Sequence, residues 1–98
     1  MQQIEAVIDQ FKLQEVRSAL EGMGIEDFTE STIRCHQKGP VMMFRGAAFR
    51  ANIVEKIKVE IIAADESVTG IVEAIGAIAR TRHKEDCRIA IHPYRGVN

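Results

Sequence analysis

MQQIEAVIDQFKLQEVRSAL, residues 1–20, contains a complete strand-to-helix unit. Ile4, Ala6 and Ile8 alternate with Glu5 and Val7. This is the two-residue period of a strand with one covered face, and it predicts a strand over residues 3–9. After Phe11-Lys12 the period changes. Leu13, Val16 and Leu20 recur at three- and four-residue spacing, the apolar stripe of a helix over residues 12–22. Gly22 and Gly24 end that helix, because glycine reaches the left-handed conformation that follows a helix C-terminus.

Working outward, residues 27–35 predict a second strand, with Phe28, Ser31 and Ile33 available for pairing. Residues 38–52 are glycine-containing and proline-broken, and predict a long loop. A loop of about 15 residues in so small a domain is expected to be functional or mobile. Residues 53–63 are rich in β-branched side chains, with Ile57, Val59 and Ile61 alternating with Lys58, Glu60 and Ile62. Asp65 or Ser67 is expected to cap the next helix. Val68, Ile71, Val72, Ile75 and Ile78 give it an apolar stripe. Residues 81–87 form a charged loop, and residues 88–91 a last short strand stopped by Pro93. The order is βαβ, loop, βαβ. That is the pattern of an α+β, ferredoxin-like sandwich in one domain over residues 1–98, with both helices on one face of the sheet. Two such units predict that the sheet's second face is apolar as well.

Composition narrows the function classes. The formal charge of −1 provides no electrostatic drive toward nucleic acid or anionic membrane. Trp is absent and the aromatic residues are scattered, so no base-stacking platform is visible. No apolar run approaches the roughly 20 residues of a membrane span. Ile4 already belongs to a core strand, so no secretory leader is expected before it. Cys35 and Cys87, without framework spacing, suit a reducing, cytoplasmic compartment. Neither they nor His36, His83 and His92 have the spacing of a metal site, so no metal is expected. No Ser/His/Asp or Cys/His order stands in a motif context, and there is no Walker loop. The chain is therefore not expected to be an enzyme. An Arg/His/Lys run such as residues 82–84 is, as a bare pattern, a solvated loop.

The wording IEAVIDQFKL-x-EV-x-x-AL at residues 4–20 closely resembles the opening of the nitrogen-regulatory PII signalling proteins. The resemblance recurs at QKGPVMMFRGAAF (37–49), EKIKVEII (55–62), VEAIGAIARTR (72–82) and RIAIHP (88–93), in the family's order. It implies the same sheet, a homotrimer, and signalling by ligand binding. It also implies a long T-loop, about residues 36–53, that reaches into partner proteins. The family's Gln-Lys-Gly stands here as Gln37-Lys38-Gly39, and its Tyr-Arg-Gly-Ala as Phe44-Arg45-Gly46-Ala47. By resemblance, Gln37 helps hold magnesium and 2-oxoglutarate, Lys56 contacts the same keto acid, and Thr29 contacts adenine. Met42, Met43, Phe44, Arg45 and Phe49 form the partner-binding part of the T-loop, where adaptable methionines suit a protein surface.

Departures from the family pattern bear on the same site. The family's Gly-x-Gly-Arg approach to the T-loop is replaced by Cys35-His36, two residues shorter. Its Gly-Asp-Gly-Lys phosphate loop is matched by Glu85-Asp86-Cys87-Arg88, which retains Asp86 and the cation but neither glycine. Glycine permits positive φ and close backbone approach to phosphate. Near the end of the chain only Arg95 answers the family's two tail arginines. A weakened nucleotide site built from Thr29, Cys35, His36, Asp86, Cys87 and Arg88 is therefore expected, one that takes ADP or AMP more readily than ATP. The resulting reading is a PII-like regulator whose target is a transporter or a nitrogen-metabolic enzyme or regulator. Two alternatives stay open. One is a divergent sensor of ADP, AMP or bicarbonate serving another transporter or carbon metabolism. The other is a trimeric interaction module without ligand sensing.

The tyrosine that many PII proteins have uridylylated or adenylylated falls at Phe49. A phenyl ring has no oxygen to accept a nucleotidyl group. Incubation with a nucleotidyltransferase and its nucleotide should leave the mass of the peptide spanning residues 39–52 unchanged. An adduct there would overturn the expectation.

Overall fold

The structure is a computed structural model that describes residues 1–36, 41–50, 53–80 and 87–95, with the backbone alone over 41–44 and 47–50. In chain order the elements are β1 (Gln2–Ile8), α1 (Leu13–Gly22), β2 (Phe28–His36), β3 (Val41–Phe44), β4 (Ala47–Arg50), β5 (Ile53–Ala63), α2 (Val68–Ala79) and β6 (Cys87–Pro93). Short 3-10 turns at Gln10–Lys12 and Asp65–Ser67 lead into the two helices. The main sheet is antiparallel, in the order β2-β5-β1-β6. This is the expected α+β, ferredoxin-like arrangement. β1 sits inside, with Ile4 opposite both Ile61 and Ile91, and Ile8 opposite both Ile57 and Cys87. β6 runs on to Pro93, which an edge strand tolerates because it need not donate outward.

Local chemistry places each turn. The Asp9 carboxylate accepts the Phe11 N–H at 3.0 Å and starts the turn into α1. At the other end of α1, Gly24 N–H donates to Glu21 O at 3.0 Å and Ile25 N–H to Leu20 O at 2.9 Å. That pair of bonds needs a left-handed residue, and Gly24 supplies it at φ +78°. The expected cap of α2 does not form. Neither Asp65 nor Ser67 makes a side-chain cap bond, because a 3-10 turn carries the chain into the helix at that point. Asp65 instead pairs with the ammonium of Met1 at 3.1 Å.

The core lies between the sheet and the helices. Ile4, Ala6, Ile8, Val59 and Ile61 from the sheet meet Val16, Leu20, Ile71, Ile75 and Ala79 from the helices, all fully buried. Full burial of an Ile or Leu side chain is worth about 1.5–3 kcal/mol, so this layer supplies most of the drive to fold. The other face of the sheet differs from expectation. Alternation and register place Gln3, Glu5, Lys58, Glu60, Arg88 and His92 there, with Val7, Ile62 and Ala90 among them. The second face is thus mixed and charged, not apolar.

The segment expected to be loop over residues 38–52 also differs. It contains a two-stranded ribbon in which Val41 pairs with Arg50 and Met42 with Phe49. The ribbon turns at Arg45 and Gly46, with φ +53° and +80°. Two successive positive φ angles are the signature of the hairpin turn whose twist matches that of its strands.

Arg17 of α1 holds edge strand β2 through a two-pronged ion pair, Nε to Glu30 Oε1 and Nη2 to Glu30 Oε2, each at 2.6 Å. The hydrogen bond from Arg17 lowers the pKa of the Glu30 carboxyl below its ordinary value. A depressed carboxylate contributes stability above its unfolded pKa and loses it as pH falls through the folded one. Glu30→Gln should therefore melt below the wild type at pH 7, by a small margin because the pair is partly exposed. The margin should close as pH drops below about 4. A margin unchanged down to pH 3 would show that the pair contributes no pH-dependent stability.

Candidate functional site

Several of the residues singled out in the sequence lie toward one end of the sheet, on different strands. Cys35 and His36 end β2, opposite Val54 and Ile53 of β5. Lys56 follows on β5, and Cys87 and Arg88 open β6 beside Ile8 and Val7. Gln37 and Asp86 lie outside the described residues. Met42, Met43, Phe44 and Phe49 belong to the ribbon, with exposed Arg45 at its tip.

The structure separates some residues that adjacency in sequence groups together. Cys87 and Arg88 face opposite ways, as successive strand residues must. Cys87 is 7% exposed and packs in the core, whereas Arg88 is exposed on the open face. Burial pushes the Cys87 thiol above its ordinary pKa, against the pull of the nearby Arg80 and Lys56 charges. A thiol in that state is a packing group and not a nucleophile at neutral pH. Cys35 and Cys87 are both free and stand on opposite edge strands. Among the described residues no group of three His, Cys, Asp or Glu side chains could hold a metal ion, and no helix is long and apolar enough to cross a membrane.

Lys56 is unusual for a lysine. It is only 8% exposed, and no hydrogen bond or ion pair reaches its ammonium among the described residues. No side-chain nitrogen or oxygen among them is both fully buried and unpartnered. The stem is therefore covered while the charged tip reaches solvent. Lys56 and Lys58 on β5 share the open face with Arg88 on β6. This end of the open face is basic.

The next row along the sheet is acidic. Glu5 stands directly opposite Glu60 on one side and Ala90 on the other, and Glu60 stands opposite Thr29. Thr29 lies six residues from Cys35 along β2, about 20 Å at strand rise, so the two do not meet within one chain. Thr29 instead lines a groove of about 630 Å³ with Gln3, Glu60, Ile62 and Tyr94. Gln3, Lys58 and Glu60 were not singled out in the sequence. For Lys58 and Glu60 the signal was there, in their two-residue spacing with Lys56; for Gln3 there was none.

A family model for nitrogen regulatory protein P-II matches residues 1–96. A nitrogen regulatory protein P-II of Cereibacter sphaeroides is 38% identical over 95 residues, covering 95% of this chain and 85% of that protein. One from Microchaete diplosiphon is 39% identical over 99 aligned positions, covering 99% of this chain and 88% of its own length. One from Pasteurella multocida is 37% identical over 94 residues, covering 94% and 84%.

Proposed function

The chain belongs to the nitrogen regulatory protein P-II family, and we propose that it is a signal-transduction protein that binds an adenine nucleotide and regulates a target protein through the segment around residues 36–53. The observation that carries this reading is the charge order of the open face. A basic end formed by Lys56, Lys58 and Arg88 lies beside an acidic row and the Thr29–Glu60 groove. A nucleotide has the complementary order, with an anionic phosphate end and a base that offers hydrogen-bond donors. Arg88 is the exposed cation for phosphate. Lys56, with its covered stem and unpaired ammonium, suits the carboxylate of a keto acid such as 2-oxoglutarate, together with Gln37.

Thr29 and Arg88 lie on the two edge strands, three strand spacings apart, about 14 Å across the sheet. Two copies set side by side can bring one chain's β2 edge toward its neighbour's β6 edge. This geometry supports a homotrimer whose nucleotide sites lie between subunits. Cys87 has ordinary extended backbone, with its side chain turned into the core. Its position therefore lacks the left-handed freedom that a glycine gives a phosphate-wrapping loop. That favours ADP or AMP over ATP. The ligand then biases the ribbon of β3 and β4 between conformations by binding one of them more tightly. The target, by family, is a transporter or a nitrogen-metabolic enzyme or regulator, and the protein works in the cytoplasm without catalysing a reaction.

Two measurements test this. Light scattering at micromolar concentration should give the mass of a trimer, and a monomer would remove the inter-subunit site. Calorimetric titration should then show ADP or AMP binding more tightly than ATP, with or without magnesium and 2-oxoglutarate. Arg88→Ala should weaken nucleotide binding by about tenfold or more, the scale of one charge-assisted contact. Unchanged affinity in that variant would place the phosphate elsewhere, and the absence of any nucleotide binding would leave the module without a sensing role.

A further inference from the structure

β2 is an edge strand whose only neighbour in the sheet is β5. Its residues on the helix side of the sheet are Phe28, Glu30, Thr32, Arg34 and His36, opposite Ile61, Val59, Ile57, Glu55 and Ile53. Of these, Phe28 packs against the core, and Thr32, Arg34 and His36 are exposed. A cleft of about 250 Å³, lined by Leu13, Arg17, Glu30, Ser31, Thr32 and Ile57, lies between α1 and the strand. Here Arg17 reaches Glu30 through its two bonds of 2.6 Å. Among the described residues no other side-chain hydrogen bond or ion pair ties β2 to the rest of the chain.

The strand also outruns the body of the sheet. β1 ends at Ile8, opposite Ile57. Beyond that row residues 33–36 pair with residues 53–56, a two-stranded arm with no third strand beside it among the described residues. Two strands alone are marginally stable in water. The arm carries the segment between residues 36 and 53. Glu30 stands three residues before the arm, in the four-strand row of Ala6, Val59 and Ile89. We propose that the Arg17–Glu30 pair is a latch. Made, it fastens β2 to α1 across the cleft. Broken, it lets residues 30–36 peel from β5 as one unit while the core stays closed. α1 has no residue in the candidate site, so the latch gives this helix a hold on the segment around residues 36–53. That consequence rests on the reading of the segment as the part that reaches a target; the latch itself does not.

The competing account is that the end of β2 frays without breaking the pair. Native-state amide hydrogen exchange separates the two. In the wild type, the amides of residues 30–36 that bond to β5 should exchange faster than those of β1, which has a partner on both edges. Glu30→Gln should speed the β2 amides by about two- to fivefold, the scale of a partly exposed ion pair. The charge swap, Arg17→Glu with Glu30→Arg, should return the rates toward the wild type. β2 amides that keep their wild-type rates in Glu30→Gln overturn the latch, as do wild-type β2 amides protected as strongly as those of β1. A charge swap as fast as Glu30→Gln overturns it too. Should Glu30→Gln fail to fold, Arg17→Lys, which keeps the charge and loses the fork, allows the same comparison. The rates are read without nucleotide or target, so a failed latch leaves the proposed function standing, and a failed nucleotide titration leaves the latch.

Discussion

The structure depends on the sealing of one face of β1. Ile4, Ala6 and Ile8 are fully buried, and the strand has a partner on each edge. Burial on one face and pairing on both edges fix its register, because a slip of one residue would turn Glu5 and Val7 into the core. The registers of β5 and β6 follow from it. So does the location of the basic end, where β1 stops at Ile8 while β5 and β6 carry Lys56 and Arg88.

The same alternation that builds the core distributes the chemistry. Every apolar residue that β1 and β5 send to the helices obliges its neighbour to stand on the open face. Those neighbours are Gln3, Glu5 and Val7 on one strand and Lys56, Lys58, Glu60 and Ile62 on the other. The opposition of Glu5 and Glu60 costs stability that Gln3, Lys58 and His92 offset. Local sequence that departs from best stability in this way is a usual mark of a working surface.

The main elements were legible because their periods are clean. The strand over residues 53–63 was read to the residue, and α1 falls within one residue of its expected start. The ribbon was not legible. Val41-Met42-Met43-Phe44 is apolar throughout and shows no alternation, and Arg45-Gly46 is not the Asn-Gly pair that announces a hairpin. The helix cap at Asp65 or Ser67 was missed because a 3-10 turn moves the helix start to Val68. The charged second face was misjudged although Lys56, Lys58 and Glu60 already showed it at two-residue spacing. Within the site, Arg88 and Lys56 were reached through the family resemblance. The Gln3–Glu60 bond joins residues 57 positions apart. Such a contact exists only once the strands are in register, and no local pattern encodes it. The inward turn of Cys87 likewise follows from its pairing with Ile8.

The interior position of β1 also orders events in time. It precedes the other strands of the sheet in chain order, yet Gln2 pairs with Ala63 and with Pro93, so its last partner lies at the far end of the fold. Until β6 exists, one edge of β1 is open and part of its apolar face lacks cover. Closing so long a loop is entropically slow, and folds rich in such contacts fold slowly. While the chain emerges from the ribosome, β1 and α1 must therefore wait as a partly exposed apolar unit. Chaperone capture has its widest opening in that interval.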